Sequence, residues 1–417
     1  MFSIETVKLI TFIFFILYLP RMWCWFAALR KQPRLHNDKK NKLALVIPAR
    51  NEGTAIIPLL KSIQKQSYAP EHFDVYIVVK EPDDPVHEYA KMINASVYVD
   101  SAQTSKGDCL DYCFKRILAE KPNVYDGYII VDADCILAPT FMEEMNNAMA
   151  SGADVINAKK LVKNYFTDNQ ENVNWVTSCN GLIWTFMDDM GNRWKSDHGF
   201  TTMTVTTGIL FSKRLVEKWQ GWIYRETLTE DMELQRDCAV RDYQTFYYSH
   251  AKFFMEESPS LSTTNKRRTR WMTGLTNADF IYGADMLMKK GGFHEWLNKY
   301  FMLCLWLVYL FIGSMVVMCA ANAGAAGLAM LAHSPDAAQF LHTALAALGA
   351  IYAAFFVLTL SALIVDRKNI KLSPFGKLIV LLVHPVFYMG YIKIVARAIF
   401  IRKPQEWEVI DRVKSRS

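Results

Sequence analysis

The chain has 417 residues, enough for one large domain with additions or for two ordinary domains. The net charge of +6 is modest and the basic residues gather beside apolar segments, which suits a membrane surface with anionic lipids and argues against nucleic acid as a partner. The eight cysteines include no CxxC pair, so neither a disulfide framework nor a zinc site is expected.

Residues 1–35 are predicted to form a retained N-terminal membrane anchor. The segment 9–29 is apolar and aromatic except for Arg21, and no small-residue cleavage site follows it. The alternative is a buried core helix. Arg21 lies well inside the segment, so either its side chain must snorkel or the span must be short and tilted. Basic residues follow directly, and they mark the cytoplasmic side of a span, which predicts a cytoplasmic domain after the anchor.

Residues 41–280 are predicted to form an α/β domain. Short apolar strands are predicted over 43–49, 74–79, 95–99 and 128–131, with helices over 54–66 and 108–119. Continuous apolar strands that alternate with helices indicate a mostly parallel sheet covered on both faces. Ligands of such sheets bind at the carboxyl ends of the strands.

Acidic residues fall at those carboxyl ends. Glu52 follows the first strand, Asp83 and Asp84 follow the second, and Asp132 and Asp134 close the fourth. Any one of them alone reads as a solvated loop carboxylate, but together they predict one crevice. The carboxylates of Asp132 and Asp134 suit Mg²⁺ or Mn²⁺, which would clamp a diphosphate; the alternative is an Asx-type turn after the strand.

Two further motifs carry charge at helical spacing. In LTEDMELQRD, Glu230 and Asp231 fall in the first turn of a helix, where they either complement the helix dipole or supply an ionised group that accepts a proton. In NKRRTRWMTG, Arg267, Arg270 and Trp271 share one helix face, which suits phosphate oxygens and a sugar ring; the alternative is a basic helix that faces lipid headgroups.

The order VIPARNE, KGDCLD, DAD, TED and RxxRW, followed by apolar segments, resembles the family 2 glycosyltransferases of the cellulose, chitin, hyaluronan and poly-N-acetylglucosamine synthase type. The resemblance runs from about residue 43 to residue 271. It implies a GT-A (Rossmann-like, mostly parallel sheet) domain, a UDP-sugar donor, Mg²⁺ or Mn²⁺ as cofactor, and an inverting single displacement.

The resemblance also implies roles for individual residues. Asp132 and Asp134 would contact the diphosphate and the metal, with Asp134 the direct ligand. Asp231, beside Glu230, matches the general base. Lys106 matches the segment near the nucleotide.

The remaining motif residues match positions near the diphosphate and the acceptor. Arg267 and Arg270 would hold the diphosphate, and Trp271 would frame the acceptor sugar. Thr207 and Gly208 match the segment that lines the acceptor path. The strand that usually ends in DDGSxD ends here as VVKEPDDP, which leaves open which of its acids, Glu81, Asp83 or Asp84, would meet the base or ribose.

The rest of the chain is predicted to lie in or near the membrane. Residues 281–299 would form an interfacial amphipathic linker, 300–400 the C-terminal transmembrane region and 401–417 a basic tail. The segment 378–392 is short and is followed by basic residues, so whether 378–400 crosses, and on which side the C-terminus lies, stays open.

These features predict a multi-pass enzyme of the cell membrane with a cytoplasmic catalytic domain. Processive synthesis of a β-linked polysaccharide is the leading hypothesis. The first alternative is transfer of a single sugar to a lipid-linked acceptor, because few spans are available for a conduit unless a homo-oligomer or a partner subunit completes it. The second alternative is an inactive membrane scaffold or transport component. The partners would be a UDP-sugar, a glycan or lipid-linked acceptor and the lipid bilayer.

Overall fold

The computed structural model describes residues 2–163, 173–227 and 229–400. One eight-stranded sheet has the order β3-β2-β1-β4-β7-β6-β8-β5. The strands are β1 Leu43–Pro48, β2 Phe73–Val79, β3 Ser96–Val99, β4 Gly127–Ile130, β5 Ile136–Leu137, β6 Val155–Val162, β7 Ile209–Ser212 and β8 Thr245–Met255.

The four predicted strands are confirmed to within one residue at each end. Strands β1 to β4 pair in parallel, β7 runs antiparallel to β4 and β6, and β6 pairs in parallel with β8. The carboxyl ends of β1 and β4 therefore meet at the same edge of the sheet. Because β7 is antiparallel, the residues just before it reach that edge as well.

The helices are α1 Ile4–Ala28, α2 Ile57–Gln64, α3 Val86–Ala90, α4 Lys106–Glu120, α5 Phe141–Ala148, α6 Trp175–Met187, α7 Asp189–Asp197, α8 Lys213–Trp219, α9 Glu230–Arg241, α10 Leu261–Met288, α11 Phe293–Leu331, α12 Ala337–Val365, α13 Pro374–Met389 and α14 Tyr391–Phe400. The helix predicted over 54–66 is split into a 3-10 turn, Gly53–Ile56, and α2.

Both faces of the sheet are covered. Alternate residues of β1 enter different cores: Leu43, Leu45 and Ile47 pack on one side of the sheet, and Ala44 and Val46 on the other. All five side chains are fully buried. This explains why the strand is continuously apolar and not alternating.

Among the described residues, four helical segments are long and apolar enough to cross a membrane: α1, α11, α12 and the pair α13–α14, which spans Pro374–Phe400. The pair extends well past the short uncharged run at 378–392. The segment 281–299 is divided between the end of α10 and the start of α11, and 401–417 lies outside the described residues.

Arg21 of α1 corrects one expectation. Its guanidinium donates hydrogen bonds to the backbone carbonyls of Met190 and Phe186 in the adjoining helices. The side chain therefore points into the protein, and neither snorkelling nor a short, tilted span is needed to accommodate it.

Candidate active site

A cavity of about 1500 Å³ lies where the carboxyl ends of β1 and β4 meet α9 and α10. Most of the candidate residues line it, although they come from distant parts of the sequence. The candidates at its wall are Glu52, Lys106, Asp132, Asp134, Thr207, Glu230, Asp231, Arg267, Arg270 and Trp271.

Three candidates lie off the cavity wall. Asp83 is exposed, and Asp84 accepts a hydrogen bond from the backbone N–H of Val86 at 2.9 Å, so it caps the turn before α3. Gly208 has a left-handed backbone with φ of +62°, and a Cβ there would lie 2.1 Å from the Phe253 ring. Gly208 therefore allows the backbone to pack closely on the Phe253 ring.

Lys106 joins the DAD and TED motifs. Its ammonium lies 2.6 Å from Asp132 Oδ1, 2.7 Å from the Thr206 carbonyl and 3.6 Å from Glu230 Oε1. The Thr206 hydroxyl donates to Glu230 at 2.5 Å. Burial disfavours the charged form of Lys106. The attraction of Asp132 and Glu230 is stronger than this effect and raises the pKa of Lys106 above its usual value. The cluster therefore holds a permanent cation between two carboxylates.

The segment before β7 orients the DAD loop. The Thr207 hydroxyl accepts a hydrogen bond from the backbone N–H of Asp132 at 3.0 Å, and the Gly208 N–H donates to the Ile130 carbonyl at 2.8 Å. Both contacts follow from the antiparallel pairing of β4 with β7. Burial, opposed by Lys106, raises the pKa of Asp132 above its usual value.

Asp231 lies in the first turn of α9, as predicted, and its carboxyl group is perturbed by its surroundings. Burial, with the nearby charge of Glu230, raises the pKa of Asp231 to about 7. The side chain accepts a hydrogen bond from the N–H of Met232 at 2.9 Å. Thr229 occupies the N-cap position of α9 but makes no side-chain capping bond there. A carboxylate with a pKa near neutrality is a stronger base than an ordinary one.

The RxxRW residues lie in α10 as predicted. Arg267 pairs with Glu257, and its guanidinium stacks over the Trp271 ring at 4.9 Å. Trp271 packs edge-on against Trp184 at 5.8 Å, and the Trp184 indole donates to Glu257 at 2.8 Å. These contacts fix the Trp271 ring at the cavity wall. The burial of Arg270 outweighs the attraction of the nearby acids and lowers its pKa.

Helix α10 also packs against the turn that precedes Glu230 and Asp231. A Cβ on Gly274 would lie 1.8 Å from the Thr229 hydroxyl oxygen. Only glycine allows α10 to approach α9 this closely, so Gly274 helps to fix where Glu230 and Asp231 lie.

The acids at the DAD loop fit a divalent cation shared with a substrate. Across the part of the chain that the structure describes, no group of three or more His, Cys, Asp or Glu is placed to hold a metal. Asp132 and Asp134 nevertheless both line the cavity, and Mg²⁺ typically takes one or two protein carboxylates together with phosphate oxygens. The donor set thus suits a metal that arrives with a diphosphate.

Several residues at the cavity wall were missed from the sequence, among them Lys195, Gln235 and Arg236. Lys195 and Arg236 lie in mixed, charged stretches of sequence that carry no motif, so no signal distinguished them. Arg21 was singled out as a charge in an apolar segment, but its place at the cavity wall depends on packing between distant helices.

The fold is α/β, and the cavity at the carboxyl ends of its strands brings acidic and basic side chains together. The family model described as "Glycosyltransferase like family 2" matches residues 40–274, more than half of the chain. The protein therefore belongs to glycosyltransferase-like family 2. No curated protein matches the chain.

Two solved proteins resemble the chain. A mannosyltransferase, PcManGT from Pyrobaculum calidifontis in complex with GDP-Man and Mn²⁺, matches with a TM-score of 0.57 and 15% identity, covering 95% of this chain and 99% of that chain. Residues 1–349 of S. aureus TarS match with a TM-score of 0.44 both with UDP (14% identity; 84% and 91% covered) and with UDP-GlcNAc (12%; 84% and 92%). The first match shows a GT-A-like fold for this chain.

Proposed function

We propose that the protein is an inverting glycosyltransferase that moves a sugar from a nucleotide donor to an acceptor at the membrane. We assign a UDP-sugar as the donor. The observation that carries the proposal is the placement of Asp231, a buried carboxylate with a pKa raised to about 7, in one cavity with Asp132, Asp134 and Arg270. A base, a pair of acids and a cation are the groups that this transfer needs.

In the proposed reaction the Asp231 carboxylate takes the proton of an acceptor hydroxyl. The acceptor oxygen then forms a bond to the anomeric carbon of the donor sugar. The bond from that carbon to the diphosphate oxygen breaks, and the nucleoside diphosphate leaves with the electron pair. One displacement inverts the anomeric configuration. A raised pKa suits Asp231 to this step, because a base works best when its pKa lies near the operating pH.

Arg267, Arg270 and Lys106 would stabilise the departing diphosphate. All three line the cavity, and Lys106 keeps its charge because Asp132 and Glu230 surround it. Asp132 and Asp134 would hold Mg²⁺ or Mn²⁺ together with the diphosphate. When bound, such a metal offsets the negative charge of the leaving group. Glu52, also on the wall, would contact the nucleotide.

Trp271 would form the flat wall of the acceptor-sugar site. Its ring is held by Arg267 and Trp184, so it can stack on a sugar without first being ordered. Transfer to a lipid-linked acceptor fits the cavity best, because the cavity continues between apolar helices. Processive synthesis of a β-linked polysaccharide is the second candidate, favoured by the co-occurrence of TED and RxxRW.

The test is product analysis with the full chain in nanodiscs, a panel of nucleotide sugars and Mg²⁺ or Mn²⁺. Wild-type protein should consume one donor, and Asp231→Asn and Asp134→Asn should each lower turnover by about 10²–10⁴-fold. Asp38→Asn is the matched control, because that side chain is 98% exposed and far from the motifs. Undiminished transfer by both Asp231→Asn and Asp134→Asn would refute the mechanism. Product length separates the two candidates.

A further inference from the structure

The cavity that holds the acids continues past Asp231 toward the N-terminal helix. Gln235 and Arg236 lie about one helical turn beyond Asp231, and both line the cavity. Lys195 of α7 and Arg21 of α1 also line it. A series of cations therefore extends from the acids to the helices that could cross a membrane.

Lys195 is a buried cation without a counter-ion in the described ranges. It is 3% exposed, and the strongest charge acting on it is Arg21, of the same sign. Burial and then Arg21 lower the pKa of Lys195 to about 7. A buried amine without a partner loses its proton readily, and an anion bound beside it would stabilise the protonated form.

Arg21 is a second basic side chain that could bind the same anion. Its guanidinium contacts the carbonyls of Met190 and Phe186 at 2.6 Å and 3.2 Å, which satisfy donors without neutralising the charge. Arg236, the next cation along the cavity, is already paired with Asp279 at 2.6 Å. Arg21 and Lys195 are thus the two cations here that no carboxylate neutralises within the part of the chain described. They suit an anion such as a phosphate.

Next to these cations the cavity becomes apolar. Its wall combines there aliphatic side chains of the apolar helices, such as Leu305, Leu358 and Val395, with the rings of Tyr309, Tyr388 and Tyr391. The aliphatic stretches offer a glycan no hydrogen-bond partner, whereas a hydrocarbon chain needs none and packs on aromatic rings as well. Leu310 and Phe400 are 70% and 83% exposed, so the apolar part is continuous with the outer surface of these helices.

We propose that this region binds the acceptor as a phosphate-bearing lipid, with the phosphate between Arg21 and Lys195 and the hydrocarbon chain along α11, α12 and α14. The proposal rests on the proposed function, because the group beyond the phosphate must present its hydroxyl to Asp231. It identifies the acceptor class as an anionic lipid and not a free glycan.

The test measures binding to the full chain in phosphatidylcholine nanodiscs without any donor. Undecaprenyl phosphate should raise the apparent melting temperature, whereas undecaprenol, with the same chain and no phosphate, and inorganic phosphate should have little effect. Lys195→Gln should weaken undecaprenyl phosphate binding by about tenfold or more. This variant should stay folded, because it removes a buried charge that forms no ion pair in the described ranges.

Lys368→Gln is the matched control, since Lys368 is an exposed cation close to the end of α12 and does not line the cavity. It should bind undecaprenyl phosphate as the wild type does. Equal binding of undecaprenol, tight binding of inorganic phosphate, or wild-type binding by Lys195→Gln would each overturn the proposal. Failure of the proposed function would appear separately, as undiminished sugar transfer by Asp231→Asn, because lipid binding needs no donor.

Discussion

The ammonium of Lys106 lies 2.6 Å from a carboxylate oxygen of Asp132. The same ammonium is 3.6 Å from Glu230, so one side chain links the acids after β4 to those at the start of α9. Its charge offsets the repulsion between these acids, and it also lowers the pKa of Asp231 below the value that burial alone would produce. Lys106 therefore affects both the proposed donor site and the proposed base.

Replacing Lys106 by Met should lower turnover by about 10²-fold, which is typical for loss of one preorganised charged donor. The donor KM should rise, because Asp132 would then repel the diphosphate more strongly. The measurement is steady-state kinetics over a range of donor concentrations, with Lys91→Met as control, since that lysine pairs only with Glu88 at the surface. An unchanged donor KM would contradict the assignment of Lys106 to the donor site.

The pH dependence of the reaction rate should follow the ionisation of Asp231. Its pKa is raised to about 7 and it must be ionised to accept a proton, so kcat/KM should fall about tenfold per pH unit below about pH 7. Glu230→Gln should shift the acidic limb of the pH–rate profile to lower pH, because the charge of Glu230 raises the pKa of Asp231. Rate measurements from pH 5 to pH 9 test this, and a limb that stays in place in Glu230→Gln would contradict it.

The raised pKa of Asp231 also predicts how the stability of the fold changes with pH. A raised pKa means that folding favours protonated Asp231, so its stabilising contribution is complete below the unfolded value of 3.8 and is lost as the pH rises through about 7. At pH 8, Asp231→Asn should therefore raise the apparent melting temperature although it lowers the rate of transfer. A thermal-shift assay at pH 5 and pH 8 measures this. A lower melting temperature at pH 8 would mean that Asp231 is structural.

Gly208→Ala should destabilise the fold by about 1–3 kcal/mol, because the added Cβ would overlap the Phe253 ring. That ring is fully buried and packs edge-on against Phe141, so it cannot move aside, and the φ of +62° at Gly208 adds strain. Gly324→Ala is the control, since a Cβ there meets nothing within 4 Å. Thermal unfolding in detergent compares the two. Equal melting temperatures would contradict a packing role for Gly208.

The sequence revealed those parts of the site that depend on strand order. Asp132 and Asp134 follow a buried strand, so their place at the edge of the sheet could be predicted. The raised pKa of Asp231 could not, because it depends on burial by helices distant in sequence. Asp84 also follows a strand end, as predicted, but its side chain accepts a hydrogen bond from the N–H of Val86 in the next turn and does not line the cavity. Strand-end position alone cannot tell a turn-capping acid from one that faces the cavity.

Lys159 links the sheet to the apolar helices, which local sequence could not reveal. Its ammonium contacts Asp189 and lies 2.8 Å from Asp366 at the end of α12. All three side chains have low exposure. Lys159→Met would leave two buried carboxylates uncompensated and should cost about 3–5 kcal/mol.

Asp366→Asn should cost less than Lys159→Met, because Lys159 keeps Asp189 as a partner and the amide can still accept a hydrogen bond. In the double variant the two losses should not add, since both changes act on one ion pair. Apparent melting temperatures of the four proteins form the double-mutant cycle. Additive losses would mean that the two residues act independently. A coupled loss would mean that Lys159 and Asp366 stabilise the fold as a pair, and this pair joins strand β6 of the sheet to the end of α12.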